Sequence, residues 1–387
     1  MRSMLSFSQL ASVAAVGLIA ACASDVTGPA NVQSPSLSRS HGADAGGVYT
    51  MTNGVASNAI VAFRRAADGS LTPLGETATG GFGTGGTIDP LASQYALVLS
   101  HDDEHRLLFA VNAGSNDVTS FRVDDESGAI RVADRAPSGG VKPVSVAVHD
   151  RLVYVLNAGD NSVAGFRVAS SGKLVPLPRA HATLATGTTL PAAIRFTTDG
   201  RSLIVTERGS TAIEVFPVLR NGRLGEPHVT TSNGAGPFGF DVTPRNQVLV
   251  SEAAGAAPNG AVSSYSLIGT ALRSITRSLD VGGRATCWLI ATTDGRFAFT
   301  ANAASATVTG FRVAPNGTLS AVGGVSTGAG STPLDLDVAG SNRFVYVLQG
   351  GDGNVGGFAV SESGSLTSLG SVHAGAGAGG LQGLAAF

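Results

Sequence analysis

The feature that most constrains this chain is a short segment that recurs seven times. Each copy is an apolar run that ends in an aromatic residue, and most copies follow a turn rich in asparagine. The aromatic residues are Phe63, Phe121, Phe166, Phe216, Tyr265, Phe311 and Phe358, and neighbouring copies lie 45–58 residues apart. A period of this length, built from short alternating stretches, is typical of β-propeller blades. Seven copies therefore predict an all-β fold, a propeller of seven four-stranded antiparallel blades.

The fourth copy shows the four strands of one blade. We predict strands over 191–197, 202–206, 212–218 and 224–230, with turns at Asp199-Gly200 and Asn221-Gly222. Asp-Gly and Asn-Gly pairs favour hairpin turns because both residues tolerate positive φ. Antiparallel order places these two turns on one face, which we call the lower face. The loops between second and third strands, and the connections between blades, then lie on the upper face.

The two chain ends are predicted to close the ring. Residues 47–52 read as the second strand of the first blade, so that blade lacks its innermost strand. One strand, 381–387, is left over at the carboxyl end. We expect this segment to become the innermost strand of the first blade, because closure removes the only open sheet edges.

The amino-terminal residues are predicted to lie outside the propeller. Residues 1–21 combine an early arginine with an apolar stretch too short to span a bilayer, as in a signal peptide. The sequence before Cys22 resembles a bacterial lipobox, which implies lipidation of Cys22 and anchoring to the outer membrane; ordinary secretory cleavage near Ala23 is the alternative. Residues 22–46 read as a flexible tether, and 47–387 as the propeller.

Charge and cysteine content exclude some classes of protein. The net charge is -2 and the basic residues are scattered, which argues against a nucleic-acid partner. If Cys22 carries lipid, Cys287 is the only thiol left and no internal disulfide can form. We expect a monomer that needs no cofactor and touches the membrane only through its lipid.

One polar residue per blade is predicted to lie on the upper face, at the end of each second strand. These residues are Asn53, Asn112, Asn157, Glu207, Glu252, Asn302 and Gln349. Asparagine in this place often satisfies turn backbone. Glu207 and Glu252, in adjacent blades, break the pattern of amides. A glutamate side chain is less suited than asparagine to hydrogen-bond the backbone of a turn.

Several segments resemble the seven-bladed lactonase family, which includes a 6-phosphogluconolactonase and proteins described as carboxymuconate-cyclase-like. The resemblance covers about residues 46–387. It rests on the repeated Asn-Ala-Gly turns, on Phe-Arg-Val third strands such as Phe121-Arg-Val123, and on Pro237-Phe-Gly-Phe240, Val250-Ser-Glu-Ala253 and Cys287-Trp288. It implies the propeller fold and hydrolysis of a lactone or a related cyclic ester.

The chain also departs from the gluconolactonase branch of that family. That branch carries an Arg-His pair after the proline that opens an inner strand, where this chain has Pro191-Ala192-Ala193. Glu207 lies one position away from the acid of that branch. A phosphorylated sugar lactone needs cations for its phosphate, and the expected ones are missing. A phosphogluconolactone is therefore not the expected substrate.

Lactone opening requires an activated water and stabilisation of the developing oxyanion. We predict Glu252 or Glu207 as the general base and Arg284 as the electrophilic group; solvated loop acids are the alternative. The predicted substrate-binding residues are Asn112, Asn157, Asn302, Phe238, Trp288 and His181, with His181 and His373 as further candidate bases on interblade loops.

Four other motifs are not expected to carry the chemistry. His101-Asp-Asp-Glu-His105 lacks the helix of a zinc site, so no metal is predicted. Residues 81–86 match the sequence pattern of a dinucleotide-binding loop, but no helix follows them. The preferred interpretation is a mobile flap over the upper face. Residues 324–328 match a nucleophile elbow without its strand-to-helix context. Cys287 is expected to pack as a small apolar side chain.

Fold alone does not decide function. The leading hypothesis is a lactonase-like hydrolase acting at the upper face. The alternative is a non-catalytic module that binds a glycan, a peptide or a surface protein, which a flat, aromatic-lined face would favour. A muconate-type isomerase would need clustered arginines there, and only Arg208 and Arg284 are candidates.

Overall fold

The computed structural model describes residues 45–100, 106–185, 190–256, 258–375 and 380–387. Within these residues the chain forms seven antiparallel sheets of four strands each, and one short 3-10 helix at Ala303–Ser305. The predicted seven-bladed propeller is confirmed.

Blades one to four contain strands β1–β15 and the final strand, and in each blade the strands run in order from the channel outward. Blade one comprises β28 (Gln382–Ala386), β1 (Gly46–Met51), β2 (Ala59–Arg65) and β3 (Leu71–Ala78). Blade two comprises β4 (Leu97–Leu99), β5 (Leu107–Asn112), β6 (Asp117–Val123) and β7 (Ile130–Pro137). Blade three comprises β8 (Pro143–His149), β9 (Leu152–Asn157), β10 (Ser162–Val168) and β11 (Leu174–Thr183). Blade four comprises β12 (Pro191–Phe196), β13 (Ser202–Glu207), β14 (Ala212–Pro217) and β15 (His228–Thr231).

Blades five to seven follow the same order. Blade five comprises β16 (Pro237–Val242), β17 (Gln247–Ala256), β18 (Asn259–Ile268) and β19 (Ala271–Asp280). Blade six comprises β20 (Thr286–Ala291), β21 (Phe297–Asn302), β22 (Thr307–Val313) and β23 (Leu319–Ser326). Blade seven comprises β24 (Pro333–Ala339), β25 (Phe344–Gln349), β26 (Asn354–Val360) and β27 (Leu366–His373).

The seven repeated aromatic residues all occupy the third strand of their blades. Each is at most 2% exposed, from Phe63 in β2 to Phe358 in β26. Burial of one such side chain stabilises the fold by about 1.5–3 kcal/mol. The sequence repeat is therefore a repeat of core positions between neighbouring blades.

Tyrosines on second strands join some blades to the next one round the ring. Tyr49, Tyr154 and Tyr346 donate hydrogen bonds to the carbonyl oxygens of Gly128, Gly222 and Gly69, respectively. Each acceptor lies in the turn between the third and fourth strands of the following blade. Burial raises the pKa of Tyr154 to about 12, so this hydroxyl stays a donor at physiological pH. Such bonds fix the angle between adjacent blades.

The carboxyl-terminal strand closes the ring as predicted. Strand β28 pairs antiparallel with β1, with Val48 opposite Ala386. Beyond the strand, the Phe387 N–H donates to the Gly47 carbonyl at 3.0 Å, and Arg65 Nε donates to the Phe387 carbonyl at 2.9 Å. The Arg106 guanidinium lies 3.9 Å from the centre of the Phe387 ring. The last residue is thus held by blades one and two together.

The fourth strand of blade four is shorter than predicted. Strand β15 has only four residues, His228–Thr231, and Leu224 forms a single isolated bridge with Val218. Pro227 lies between the two and has no N–H for the ladder. The prediction of a continuous strand over 224–230 was wrong for this reason.

The predicted signal peptide, the lipidated Cys22 and most of the tether lie outside the described residues, so these remain predictions. Among the described residues, no helix is long and apolar enough to cross a membrane.

Removal of residues 380–387 should unfold the protein or lower its free energy of unfolding by several kcal/mol. The truncation exposes the hydrogen-bonding edge of β1 and removes the buried Leu381, Leu384 and Ala385. Thermal and urea unfolding would measure the loss, with removal of Phe387 alone as a milder comparison. If the protein lacking residues 380–387 melts at the same temperature as the full chain, closure by β28 is contradicted.

Candidate active site

The polar residues predicted at the ends of second strands do lie together on the upper face. Asn112, Asn157, Glu207, Asn302 and Gln349 end their second strands, and Asn53 follows β1. The prediction was wrong for Glu252, which lies inside β17, because that strand continues to Ala256 and pairs there with Asn259. All seven are at most 2% exposed. They form a buried ring beneath the upper surface rather than a surface lining.

The asparagines predicted to bind substrate are mostly engaged within the protein. Asn112 accepts from Asn58 Nδ2 at 2.9 Å and Thr79 Oγ1 at 2.7 Å, and donates to Asp117 and Thr119. These four bonds use the full capacity of a side-chain amide. Asn302 likewise accepts from a threonine hydroxyl and donates to two others. Of the three, only Asn157 has a buried Oδ1 without a partner among the described residues.

Glu252 is held in a cage of hydroxyl and amide donors. Its Oε1 accepts from Ser232 Oγ at 3.0 Å, Gly234 N at 2.8 Å and Ser263 Oγ at 2.7 Å, and its Oε2 accepts from Ser278 Oγ at 2.7 Å. The residue has no exposed surface. A general base needs a lone pair that water can reach. This geometry favours a structural crosslink over the catalytic role predicted from the sequence.

Glu207 occupies the corresponding place in blade four and is also fully buried. Ser210 Oγ donates to its Oε2. The two glutamates therefore occupy equivalent positions in adjacent blades, and neither faces solvent.

The other predicted groups are dispersed. His181 lies in β11, the outermost strand of blade three, opposite Ala164, and is exposed. The prediction that it lies on an interblade loop was wrong, because β11 runs on to Thr183, past the bulge in its pairing with β10. His373 similarly ends an outer strand, with its Nδ1 3.0 Å from Asn354 Oδ1. Arg284 lies exposed in the connection before β20.

Phe238 and Trp288 pack against each other behind the channel wall. Their ring centres are 5.2 Å apart in an edge-to-face arrangement, and they are 4% and 2% exposed. Trp288 Nε1 donates to the Ser93 carbonyl at 3.0 Å. Their observed role is to hold residue 93, which belongs to a segment that sequence analysis overlooked.

That segment, residues 91–95, crosses the central channel just before β4. Gln94 is bonded to blade four through its N–H, which donates to the Ala192 carbonyl at 3.0 Å, and to blade six through Leu289. The Tyr95 hydroxyl donates to the Phe240 carbonyl in blade five at 2.7 Å, and its N–H donates to Asp335 in blade seven at 3.3 Å. We call these residues the crossing segment, because their partners surround the channel.

The backbone around the crossing segment is strained. Asp89, Ala92 and Tyr95 have φ values of 44°, 50° and 65°. The left-handed region is unfavourable for residues other than glycine, at about 1–3 kcal/mol each when the surroundings enforce it. The hydrogen bonds to the other blades keep this segment in place.

Four polar side chains meet at the upper mouth of the channel, and we call them the upper cluster. They are Asp89, Arg208, Cys287 and Gln382, from the connection before β4, the end of β13 and the starts of β20 and β28. Gln382 Nε2 donates to Asp89 Oδ1 at 3.2 Å. Arg208 lies close enough to act on the charge of both Asp89 and Cys287, yet forms no ion pair within the described residues.

The electrostatics of the upper cluster follow from burial. Desolvation raises the pKa of Asp89 to about 7, although the Gln382 amide and the Arg208 charge lower it in part. Desolvation, with the Asp89 charge, raises the pKa of the Cys287 thiol to about 12. The cluster thus combines a carboxyl group that titrates near neutrality with a thiol that stays protonated, which agrees with the prediction that Cys287 is not a nucleophile.

Two buried polar atoms of the upper cluster have no partner among the described residues. They are Arg208 Nε and Gln382 Oε1. Unpartnered buried polar atoms are rare in folded proteins and need an explanation. A ligand that accepts from Arg208 and donates to Gln382 would satisfy both.

Sequence reasoning missed Asp89 and gave Arg208 only a minor role. Asp89 lies in the longest interval between repeats, where no strand pattern fixes its position. Arg208 directly follows Glu207, so the shift of that acid by one position was the available signal.

The remaining sequence motifs do not add to the site. Residues 81–86, predicted as a mobile flap, are tied to both neighbouring blades: Gly83 N donates to Gly54 O, and Gly114 N donates to Phe82 O. The His101–His105 motif lies outside the described residues. Across the described ranges, no group of three or more histidine, cysteine or acidic side chains is placed to hold a metal ion.

The chain is thus a seven-bladed β-propeller with an acid–arginine cluster at one mouth of its channel. The family described as "Lactonase, 7-bladed beta-propeller" matches residues 92–178, 149–257 and 270–379, and the chain belongs to this family. No curated protein matches the sequence.

Solved structures with a similar fold include the following two proteins. A putative 6-phosphogluconolactonase from Bacteroides fragilis has 17% identity and a TM-score of 0.69, with 89% of this chain and 98% of that chain covered. The periplasmic gluconolactonase PpgL of Pseudomonas aeruginosa has 22% identity and a TM-score of 0.67, with 85% and 96% covered. At such identities these likenesses show the fold alone.

Glu252→Gln should lower stability by about 1–3 kcal/mol, because the amide nitrogen cannot accept from the buried donors around it. Folded Glu252→Gln protein should keep whatever activity the wild type has. Urea unfolding and activity assays would measure both quantities. Glu362→Gln, at an exposed glutamate, is the matched control and should be unchanged. Lost activity with unchanged stability would instead support Glu252 as the base.

Proposed function

We propose that the protein hydrolyses a lactone or related cyclic ester at the upper cluster. Membership in the lactonase family supports hydrolysis of this kind in general. The observation that carries the proposal is a carboxyl group with a pKa of about 7 beside an arginine whose buried Nε has no partner among the described residues.

Asp89 is assigned the role of general base. A base works best when its pKa lies near the working pH, since it is then both available and strong enough to take a proton. Burial gives Asp89 such a pKa, while Gln382 Nε2 fixes the orientation of the carboxylate. Glu252, with four donors to its carboxyl group and no exposed surface, is not accessible to water.

Arg208 is assigned the role of electrophile. The carbonyl oxygen of a lactone gains negative charge when water attacks, and a fixed cation in a desolvated site stabilises that charge. The buried Nε of Arg208 is a donor available for this purpose. Arg208 acts on the charge of Asp89 without a direct ion pair among the described residues, so its guanidinium is not occupied by that carboxylate.

The proposed reaction consumes one water. Asp89 takes a proton from water as the water oxygen bonds to the lactone carbonyl carbon, and Arg208 stabilises the resulting oxyanion. The intermediate collapses with cleavage of the ring carbon–oxygen bond. The proton on Asp89 then passes to the leaving alkoxide, which gives a hydroxy acid and restores the carboxylate.

The charge of the cluster favours an unphosphorylated substrate. A phosphate group is normally bound by several cations or backbone N–H groups. Arg208 is the only cation of the upper cluster, and Asp89 would repel a phosphate. A neutral sugar lactone fits better, and the Pseudomonas protein of similar fold is a gluconolactonase.

Asp89→Asn should reduce kcat/KM for the best lactone by about 10²–10⁴-fold, and Arg208→Gln by about 10²–10³-fold. A lactone panel read by proton release would measure both. Melting of Asp89→Asn should be unchanged or higher above pH 7, because burial disfavours the charged carboxylate that is removed.

Arg284→Gln is the matched control for Arg208→Gln, because Arg284 is exposed and outside the cluster. It should keep wild-type turnover. Loss of turnover in Arg284→Gln but not in Arg208→Gln would return the role to Arg284. Absence of turnover on every lactone would favour a non-catalytic binding module.

The rate should depend on pH through Asp89. Since the base must be deprotonated, kcat/KM should rise with pH, reach half its maximum near pH 7 and then level off. Asp337, in the lower part of the channel, also has a pKa raised by burial to about 7, so Asp337→Asn is the control and should leave the midpoint in place. A flat profile between pH 5 and 8 would contradict Asp89 as base.

A further inference from the structure

A second cavity lies on the other side of the crossing segment. Its volume is about 700 Å³, within the range of about 300–1,000 Å³ usual for small-molecule sites. Tyr95 lies at its inner end, and Asp150, Thr198 and Thr293, in turns between first and second strands, lie at its mouth. We call it the lower chamber, because these turns belong to the lower face.

The crossing segment separates the lower chamber from the upper cluster. Beyond its bonds to blades four to seven, the crossing segment is bonded to blade three, where Ser145 Oγ donates to the Gln94 carbonyl at 2.6 Å and Val146 N donates to the Tyr95 carbonyl at 2.9 Å. A ligand in the chamber would therefore not reach Asp89 or Arg208.

A fixed donor lines one side of the chamber. Arg195 Nε donates to Asp241 Oδ1 at 2.8 Å, and the guanidinium carbon lies 4.8 Å from the centre of the Tyr95 ring. The Arg195 side chain is 30% exposed, while the Asp241 side chain is 3% exposed. The pair presents its arginine rather than its carboxylate to the chamber.

A fixed acceptor comes from blade seven. Asp337 Oδ2 accepts from Ala386 N at 2.9 Å, and Oδ1 accepts from Val338 N at 2.8 Å. Asp337 lines the chamber and is partly exposed. Each of its oxygens has a second lone pair, and no cation lies within 4.0 Å of Asp337 among the described residues.

Apolar side chains form another part of the wall. Leu97, Val98, Val146 and Ile290 contribute side chains from blades two, three and six. An apolar wall with a few oriented polar groups is the usual composition of a small-molecule site.

The charges of the chamber select against anions. Asp241 neutralises Arg195, and Asp337 would repel an anion such as a carboxylate. The arrangement suits a neutral ring that presents hydroxyl groups to Arg195 and Asp337 and C–H groups to the apolar wall.

We propose that the lower chamber is a second binding site, distinct from the upper cluster, for a neutral polyhydroxylated ring of monosaccharide size. A hydroxyl group can donate to Asp337 or accept from Arg195, because it is both a donor and an acceptor. The site is independent of the proposed lactonase activity.

Calorimetric titration of the full chain with D-glucose, D-galactose, D-mannose and myo-inositol would test the proposal. At least one should bind with a measurable Kd. The anionic counterpart D-glucuronate should bind at least about tenfold more weakly, since one unpaired buried charge costs more than about 1.4 kcal/mol. Absence of binding by all four neutral compounds, or equal binding of D-glucuronate, would overturn the proposal.

Two variants locate the site. Asp337→Asn should weaken binding at least about fivefold while keeping the shape of the chamber, and Val98→Trp should abolish binding by filling the space. Arg208→Gln, in the upper cluster, should bind as the wild type does. Binding lost in Arg208→Gln and retained in Asp337→Asn would assign the ligand to the upper cluster and overturn the proposal, whether or not Val98→Trp folds.

Discussion

The pairing of β28 with β1 is the interaction on which the rest of the structure depends. A ring of sheets has no stable partial form, because an open blade leaves unpaired backbone at the inner edge and bares the core faces of its neighbours. Closure at this point joins residues more than 300 positions apart. It also brings Gln382, the first residue of the closing strand, into hydrogen-bonding distance of Asp89. The same contact that completes the fold therefore completes the upper cluster.

The crossing segment divides the central channel into an upper and a lower compartment. Inner strands of a propeller leave a central space, and residues 91–95 fill its middle with hydrogen bonds to blades three to seven. Two compartments result, with different chemistry. The arginine of the upper compartment forms no ion pair among the described residues, while the arginine of the lower one is already paired with a carboxylate. The strained backbone of Asp89 and Tyr95 is tolerable because so many blades hold the segment.

Glu252 and Asp89 show how the supply of donors decides the role of a desolvated acid. Both acids lie on the upper side of the propeller, where Glu252 is fully buried and Asp89 is partly exposed. Three serine hydroxyls and one backbone N–H donate to Glu252, so these hydrogen bonds fix its carboxyl group in place. Hydrogen bonds from the Gln382 amide and from the backbone of Ser93 and Ala92, together with the Arg208 charge, lower the pKa of Asp89 but do not offset the loss of hydration. The first acid holds a blade together, and the second is suited to proton transfer.

The repeat in the sequence determined the number of blades, the strand order within each, the closing strand and the upper-face ring of polar residues. Apart from ring closure these features are local, since each is set by alternation and turn residues within one repeat. Two strand boundaries differed, because a proline shortened β15 and because β11 continued past a bulge to Thr183. The site was not accessible in this way. Asp89, Arg208, Cys287 and Gln382 come from four separate positions in the chain, and nothing near Asp89 in sequence marks it as desolvated. Its pKa, its partners and the division of the channel arise from desolvation and contacts between blades, which exist only once the ring has closed.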